Sequence, residues 1–461
     1  CSKMTSVEIP NSVTNIGENA FGYCTALTAV NIPNSVTSIG ACAFMFCSGL
    51  QNVELSNAIT KIENNTFNGC KELSDIKIPN SVTEIGLGAF VGCSSLTSVE
   101  IPNTVKVIEN YAFKDCSGIK EFRIADGSDE IEFGQYIISV YDPPIENLYI
   151  GRNFSCEYPF NCLFDSITIG NSVTEIPDNA FYGTRAGNLN LGSSLKTIGE
   201  NAFKYCGISE LVLPPNVETV GENAFAGNDI KKIAIGSKMT EIGNKAFDGS
   251  ASLEGVSIAA LTPPAATDST FSNYDCTLLV APGSESAYLN AASCWNRFKT
   301  QPMIAPEKVE IEGQTDLTLE PGDTIRLAAS IYPANVTLPY IFWRSTNPAF
   351  ATVDNEGNVT RTAEADNSGE QIHISAQADS DDAQANQCTI IAETLYADAP
   401  IAEITIKDPS SAVTDIITDG GFERPNDVYN MQGVCLKRNA THDDVDALAP
   451  GLYIIGGKKY S

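Results

Sequence analysis

The sequence predicts a mainly β protein: a solenoid of about 13 coils of 22–23 residues, followed by a β-sandwich and a small C-terminal β domain. A segment repeats at a near-constant period through about the first 300 residues. Apolar residues alternate at the start of each unit, which is the periodicity of a strand with one side buried. After about Ala305 the period is lost, and short alternating runs separated by Gly, Pro and Asn take its place.

The repeat is visible by direct comparison of the segments. VEIPNSVTNIGENAFGYC starts at Val7, returns at a period of 23, and resumes from Ile167 at a period of 22. One unit cannot bury its own apolar edge, so the copies must stack, with strands about 4.8 Å apart. Between Phe122 and Ile167 the pattern is irregular, and LYIGRN at Leu148 divides this stretch into two coils of 26 and 19 residues. We therefore expect one unbroken solenoid over residues 1–302, including a C-terminal cap.

Other residue types recur at fixed places in the unit. The glycine of the IG pair lies between the second extended piece and the arc that closes the coil, which predicts a positive φ there. Glu63, Glu109 and Pro177 replace this glycine in three coils and weaken the prediction. The arc itself carries one phenylalanine in each regular coil, at Phe21, Phe44, Phe67, Phe90, Phe113, Phe181, Phe203, Phe225 and Phe247.

A cysteine follows three residues after the phenylalanine in the early coils. The cysteines at 1, 24, 47, 70, 93 and 116 are spaced by 23, so Cys1 is in register and we expect the chain to begin inside a repeat rather than at a lipidated cysteine. Thiols stacked in a line do not surround a tetrahedral metal centre. Thr184, Asn228 and Ser250 occupy the same slot later, which favours buried free thiols in a slot for small side chains. Cys156 and Cys162 are the one pair to test for a disulfide.

The pattern LxxVxIPxSVTxIGxxAFxxC resembles the BspA-like leucine-rich repeats of bacterial surface proteins. The resemblance covers residues 1 to about 300 in ten or more in-register copies. It implies a leucine-rich-repeat solenoid, secretion to the outer cell surface, a role in adhesion or host contact, and no enzymatic activity.

The strand face carries the candidate ligand-binding residues. The outward residue between each inward pair is Glu54, Lys77, Glu100 and Arg123 in successive coils, and Tyr149 is the outward aromatic residue of the irregular coils. Opposite charges on adjacent strands neutralise one another, which is one interpretation of the row. The other is an extended polar face for a ligand, which is how solenoids commonly bind. Both interpretations can hold together.

Aromatic residues cluster in the irregular coils and at the end of the solenoid. The first cluster is interpreted as core packing or as a contact patch, and comprises Tyr136, Tyr141, Tyr149, Phe154, Tyr158, Phe160 and Phe164. At the end, Ser284 is expected to cap a short helix, and Trp295 and Phe298 to close the last coil against water.

Two smaller domains are predicted after the solenoid. Residues 303–407 resemble bacterial immunoglobulin-like domains in EPGDTIRL, in Trp343 before STNP, and in ATVDNEGNVT. The resemblance implies a β-sandwich that acts as a spacer or adhesion unit. Residues 415–461, with VYNMQGV and APGLYIIGGKK, resemble the small C-terminal domains that sort secreted proteins of Gram-negative anaerobes, and predict three short strands.

The polar residues of these two domains that could suggest a metal or catalytic site are interpreted as structural or solvated residues. Asp379, Asp381 and Asp382 lack the glycine and closing glutamate of a calcium loop and are interpreted as a solvated turn. His373 is interpreted as a surface strand residue, Cys388 as a buried thiol and His442 as a solvated loop residue.

Composition excludes several classes of function. With 57 acidic against 28 basic residues the formal charge is −29, which repels nucleic acid. The sequence contains no run of about 18 apolar residues, so it predicts no membrane span. Only two histidines are present, which removes most general-base and metal chemistry. A carboxylate pair such as Glu8 and Glu54 would still allow a polysaccharide-acting enzyme or enzyme subunit, although an open face does not enclose it.

The sequence therefore predicts a secreted cell-surface binding or adhesion protein, a monomer, with no catalytic, metal or cofactor site. Its partner is expected to be a host or matrix protein or a glycan. A purely structural surface spacer is the alternative, and an enzyme is the weaker one.

Overall fold

The computed structural model describes residues 2–156, 158–312, 316–348, 350–362, 387–396 and 401–407, together with four short C-terminal strands. From the first coil to residue 302 the chain winds as a β-solenoid with two ladders of parallel strands. Each strand lies beside the equivalent strand of a neighbouring coil, so the repeats stack in register, as their near-identical sequences predict.

The first ladder forms the face called here the strand face. Its strands alternate between buried and outward side chains, as in Ser98–Ile101. It is divided into three segments, because over the described residues Ile76–Ile78 pairs with neither neighbour and Asn190 is followed by a second break. The strands are Ala29–Asn31, Asn52–Glu54, Ser98–Ile101, Glu121–Ile124, Ile138–Ile150, Phe160–Ile169, Arg185–Asn190, Glu210–Leu213, Lys232–Ile235, Gly255–Ile258, Thr277–Val280 and Lys299–Pro302.

The irregular coils belong to this ladder. Leu148 lies opposite Phe122 on one side and opposite Ile167 on the other. The register shifts between Val140 and Ile145, which absorbs part of the unequal coil length. The solenoid is therefore continuous through this stretch.

The second ladder consists of strands of two or three residues, most of them with one side chain facing the core and Ile131–Phe133 with two. Its strands are Asn15–Ile16, Ser38–Ile39, Lys61–Ile62, Glu84–Ile85, Val107–Ile108, Ile131–Phe133, Phe154–Cys156, Glu175–Ile176, Thr197–Ile198, Thr219–Val220 and Glu241–Ile242.

The glycines that follow this ladder do not have the positive φ that the sequence predicts. The left-handed conformation falls two residues later, for example at Cys42 (φ 57°) and Asn201 (φ 53°). Glycine is favoured for a different reason, since a Cβ on Gly40 would lie 2.5 Å from the backbone nitrogen of Glu18 in the preceding coil. The coils approach too closely at this point for a side chain directed at the neighbour.

The core is built around stacked phenylalanines. Phe44 and Phe67 are fully buried, with ring centroids 5.5 Å apart and an interplanar angle of 6°, and the same arrangement recurs from Phe181 to Phe271. Parallel rings in register explain why the same residue recurs at this position.

The cysteine slot selects a hydrogen-bond donor as well as a small side chain. The Cys70 thiol donates to the backbone carbonyl of Phe44 at 3.2 Å, and other cysteines of the row repeat the contact one coil along. Asn228 in the same slot donates its amide to the carbonyl of Phe203 at 2.8 Å. Burial raises the pKa of the Cys47 thiol to about 11. The twelve cysteines from Cys24 to Cys388, including Cys156 and Cys162, are free thiols.

A short helix, Glu285–Leu289, and a 3₁₀ turn, Cys294–Arg297, follow the last full coil. Trp295 is fully buried and its indole N–H donates to the carbonyl of Pro264 at 2.8 Å. Ser284 precedes the helix but does not cap it, because its hydroxyl donates backwards to the carbonyl of Ala281.

The region after the solenoid has the sheets of a β-sandwich, with Trp343 and Cys388 buried in its core. One sheet contains Asp316–Thr318, Ala402–Lys407, Gln387–Glu393 and Phe342–Ser345; a second contains Thr324–Arg326, Asn358–Arg361 and Ala351–Val353; Lys308–Ile311 pairs with Ala329–Tyr332. The interpretations of His373, of the turn at Asp379 to Asp382, and of His442 concern positions outside the described residues.

The C-terminal segment forms four antiparallel strands, one more than the sequence predicts. They are Val428–Asn430, Cys435–Lys437, Tyr453–Ile455 and Lys458–Tyr460. The additional strand is Lys458–Tyr460, which pairs with Tyr453–Ile455. In the sequence these two strands read as one continuous run.

Candidate functional site

The candidate residues lie in one row on the strand face. Arg123 is directly opposite Glu100 on one side and opposite Tyr149 on the other. Glu54 and Lys77 occupy the same position in the two coils that precede the coil of Glu100, and both side chains are exposed. The structure therefore brings three of the five residues into contact and leaves Glu54 and Lys77 free of ion pairs within the described residues.

Arg123 is the centre of the contacts in this row. Its guanidinium lies over the Tyr149 ring, 3.9 Å from the centroid, and donates to a carboxylate oxygen of Asp126 at 2.8 Å. Its Nε is 3.8 Å from a carboxylate oxygen of Glu100. The ion pair with Glu100 agrees with the interpretation of the row as self-neutralising, but its length and exposure make it weak.

Asp126 is a member of this cluster that sequence reasoning missed. It receives a 2.7 Å hydrogen bond from the Tyr149 hydroxyl as well as the bond from Arg123. Burial raises the pKa of Asp126, and the two donors oppose that shift without cancelling it. Burial likewise raises the pKa of the Tyr149 hydroxyl, so it remains a donor. Because Asp126 lies in a turn beyond the strand, no periodicity identified it.

Lys77 and Glu100 line an open hollow of about 530 Å³. It lies where Ile76–Ile78 leaves the strand ladder. Its walls carry one cationic and two anionic side chains with amides and a hydroxyl between them. The lining residues are Asp75, Ile76, Lys77, Ile78, Asn80, Ser98, Glu100, Pro102, Asn103 and Ala125. Such a surface suits a polar ligand that offers both donors and acceptors.

Arg123 and Tyr149 line a second cleft, of about 260 Å³, whose other wall belongs to the β-sandwich. Asp126 stands on the solenoid wall, and Asp354 and Glu356 stand on the opposite one. Burial and the neighbouring Asp354 raise the pKa of Glu356. Tyr149 is therefore partly enclosed between two domains. Its outward position on the strand had predicted that it would lie on an open face.

Hydrogen bonds join the β-sandwich to the strand face beyond this cleft. The Asn171 amide donates to the carbonyl of Val353 at 2.8 Å, and the Ser193 hydroxyl to the carbonyl of Trp343 at 2.5 Å. The Asn216 amide donates to the Glu393 carboxylate at 3.1 Å. These bonds come from successive coils, so the sandwich lies along the solenoid.

An apolar cluster completes this contact. On the solenoid side it contains three alanines, Ala234, Ala259 and Ala281, all of which are buried. On the other side are residues that follow the solenoid, namely Met303, Val336, Leu338, Leu395 and Tyr396. Small side chains on the strand face permit the close approach. The sandwich thus covers the later coils and leaves the coils of Glu54, Lys77 and Glu100 open.

Carboxylates also gather on the second ladder, around Lys61. Its ammonium is 2.6 Å from Glu84 and between 3.6 and 3.7 Å from Glu63 and Glu109. Burial and the hydrogen bond with Glu84 raise the pKa of Glu109, whereas the Lys61 ammonium lowers the pKa of Glu84. The group is a partly exposed ion-pair network on the outside of the coil rather than a pocket.

The structure also bears on metal and catalytic chemistry. Across the described ranges, no group of three His, Cys, Asp or Glu side chains is placed to hold a metal ion. Glu8 and Glu54, the carboxylate pair weighed for glycoside hydrolysis, are both exposed and so lack the enclosure that separates the pKa values of an acid and a base. No helix among the described residues has the length and apolar character needed to cross a bilayer.

The repeats of the solenoid match a known protein family. The family model described as BspA type leucine rich repeat region matches in six copies, over residues 1–120 and 156–277. The chain belongs to this family. A second model, bacterial Ig-like domain (group 2), matches residues 308–386, within the β-sandwich region. The gap in the leucine-rich-repeat match, between residues 120 and 156, coincides with the irregular coils.

Several solved structures are similar to the chain. A leucine-rich repeat protein from Bacteroides ovatus is 22% identical, with a TM-score of 0.26, and the match covers 53% of this chain and 82% of that one. A leucine rich cell surface protein from Faecalibacterium prausnitzii is 23% identical, with a TM-score of 0.29 and the same coverage. A leucine-rich repeat protein from T. pallidum is 25% identical, with a TM-score of 0.26, over 29% of this chain and 74% of that one. No curated protein matches the chain.

Proposed function

We propose that this chain is a secreted cell-surface binding protein that uses the open part of its strand face to hold a host or matrix protein or a glycan. The observation that carries the proposal is the hollow of about 530 Å³ at Lys77 and Glu100. It lies on the part of the strand face that the Ig-like domain leaves uncovered. Membership of the BspA-type family supports the broader statement, a binding or adhesion role at a bacterial surface.

The chemistry of the hollow defines the kind of partner. Lys77 is exposed and has no carboxylate in ion-pair distance among the described residues. Asn80, Asn103 and Glu100 add donors and acceptors around it. An unpaired lysine in a polar hollow favours a ligand with a carboxylate, a sulfate or several hydroxyls.

The Ig-like domain has two roles in this proposal. It acts as the spacer between the solenoid and the cell, and it fixes the direction in which the open coils point. Support for the second role comes from the hydrogen bonds of Asn171, Ser193 and Asn216. A free linker would leave that direction undefined.

A binding array tests the proposal. The wild-type chain, the double variant Lys77→Ala/Glu100→Ala and the control Lys232→Ala are applied to immobilised matrix proteins and glycans. Lys232 is an exposed lysine on the same ladder but outside the hollow. We expect at least one partner to bind the wild type and the control, and the double variant to bind it about tenfold or more weakly. Absence of any partner would favour the purely structural spacer, and equal binding by all three chains would place the site elsewhere.

A further inference from the structure

A row of five tyrosines runs along the arcs that close successive coils, outside both strand ladders. It comprises Tyr111, Tyr136, Tyr158, Tyr182 and Tyr205, called here the tyrosine row. The ring centroids of Tyr158 and Tyr182 are 6.1 Å apart, and those of Tyr182 and Tyr205 are 5.8 Å apart. Tyr111 and Tyr136 stack at 6.1 Å.

The middle of the row is continuous through the backbone. The N–H of Tyr136 donates to the carbonyl of Tyr158 at 3.1 Å, so these two tyrosines belong to neighbouring coils in direct contact. The four intervals of about 4.8 Å between the five coils give the row a length of about 19 Å.

Four of these rings face solvent, and Tyr136 is half-buried. Tyr205 is 53% exposed, and Tyr158 and Tyr182 are each 39% exposed. The rings form two aromatic patches, the pair Tyr111 and Tyr136 and the set Tyr158, Tyr182 and Tyr205, whereas single exposed rings are ordinary.

The hydroxyls of the row have no internal partner. Among the described residues, none of the five forms a hydrogen bond through its hydroxyl, whereas the more buried tyrosines do. Tyr149 donates to Asp126, Tyr288 to the carbonyl of Ala260, and Tyr396 to that of Ile304. The hydroxyls of the row are therefore available to a ligand, beside the exposed parts of the rings, and Lys114 and Lys204 lie near the Tyr111 and Tyr205 rings.

Backbone conformation adds an independent observation. Tyr111, Tyr136, Tyr158 and Tyr205 have φ between 50° and 63°, a region that bulky residues rarely adopt. The neighbours of Tyr205 along the ladder of coils are Gly183 and Gly227. Glycine adopts a positive φ with less steric strain than tyrosine does. The conformation of the turn therefore does not explain why a tyrosine occupies position 205.

The surroundings define the ligand. None of the exposed leucine and isoleucine side chains of the described chain lies in these five arcs, so the rings are not part of a larger aliphatic patch. Protein interfaces usually have such an apolar centre. The C–H face of a pyranose ring matches one aromatic ring in size, and its hydroxyls reach polar groups at the ring edge.

We propose that the tyrosine row is a second binding site, separate from the strand face, and that it takes a neutral polysaccharide chain lying along the solenoid axis. Successive sugar units contact ring faces and ring edges in turn, because Tyr182 is nearly perpendicular to both Tyr158 and Tyr205. The regular spacing of the coils matches a ligand that is itself a repeat.

Affinity electrophoresis in native gels tests this site with soluble barley β-glucan, xyloglucan and yeast mannan as probes. We expect at least one of them to retard the wild-type chain. The double variant Tyr182→Ala/Tyr205→Ala is expected to bind about tenfold more weakly, because it removes two of the aromatic contacts. Tyr182→Phe/Tyr205→Phe keeps the rings and is expected to lose less.

Two controls distinguish binding at the tyrosine row from binding elsewhere on the surface. Tyr23→Ala removes a tyrosine that is 59% exposed but lies outside the row, and it is expected to leave retardation unchanged. Lys232→Ala changes an exposed lysine of the strand face outside the hollow and is also expected to leave retardation unchanged. No retardation of the wild type by any of the three polysaccharides, or equal retardation of wild type and the Tyr→Ala double variant, would overturn the proposal. Loss of retardation in the Lys232→Ala variant alone would do so too.

Discussion

The hydroxyl of Ser193, in the solenoid, donates a 2.5 Å hydrogen bond to the backbone carbonyl of Trp343, in the Ig-like domain. The two residues are 150 positions apart in the chain, and the contact is buried. With the apolar cluster at Ala234 it holds the Ig-like domain against the strand face. This contact decides which coils remain open to a partner.

We predict that Ala234→Arg releases the Ig-like domain from the solenoid. A charged side chain at this buried position cannot be accommodated without displacing the opposite wall. Small-angle X-ray scattering should show a larger radius of gyration for the variant. Ala251→Arg, at an exposed turn of the solenoid, is the matched control and should scatter like the wild type. Unchanged scattering by Ala234→Arg would refute the contact.

We predict that Glu393→Gln stabilises the protein near neutral pH. Burial raises the pKa of Glu393 above its ordinary value of 4.5, and Arg344, Lys238 and Asn216 oppose the shift without cancelling it. An acid whose pKa is raised on folding binds more protons when folded, so its contribution to stability falls as the pH rises through the raised pKa.

The melting temperature from about pH 4 to 8 measures this effect. The Gln variant keeps an acceptor for the Asn216 amide and has no charge to bury. Its melting temperature should exceed that of the wild type at neutral pH, and the difference should disappear at about pH 4. A constant difference across the range would mean that titration of Glu393 is not the cause.

The cysteine slot should tolerate a donor better than an apolar residue of similar size. Cys70→Val removes the S–H that donates to the carbonyl of Phe44, which then keeps only the N–H of Cys47, and should lower the free energy of unfolding by about 0.5–1.5 kcal/mol. Cys70→Ser keeps a donor and should cost less. Urea denaturation of both variants checks the order, and greater stability of the Val variant would show that size alone matters in the slot.

The phenylalanine stack should dominate the stability of the solenoid. Phe67→Ala creates a cavity between Phe44 and Phe90 and should lower the free energy of unfolding by about 3–5 kcal/mol. Tyr205→Ala, at an exposed ring, should change it by about 0.5 kcal/mol or less. Calorimetry of the two variants makes the comparison. Similar losses in both would contradict the assignment of core and surface.

Much of the solenoid follows from the sequence, because each inward position is specified many times over. The phenylalanine of the arc and the alternation within the first strand recur in nearly every coil. An ambiguous assignment in one repeat is therefore resolved by comparison with the others. The glycine of the IG pair shows the limit of this reasoning. Its recurrence is plain in the sequence, but the cause is the nearness of the preceding coil at Gly40, and not a positive φ.

The candidate site was predictable only in part. Glu100, Arg123 and Tyr149 follow from strand periodicity, and the structure brings them into contact. The docking of the Ig-like domain did not follow, because Ala234 and Ser193 are ordinary residues in a repeat and nothing local marks them as a contact. Contacts between domains depend on matching two distant surfaces, and a single sequence carries no periodic signal for that.

Hydrogen–deuterium exchange of the chain, alone and with a partner found on the array, tests the central claim most directly. We expect slower exchange in the backbone amides of residues 75–103, around the hollow at Lys77 and Glu100. We expect little change in the coils that the Ig-like domain covers. Protection confined to those covered coils or to the Ig-like domain, with residues 75–103 unchanged, would contradict it.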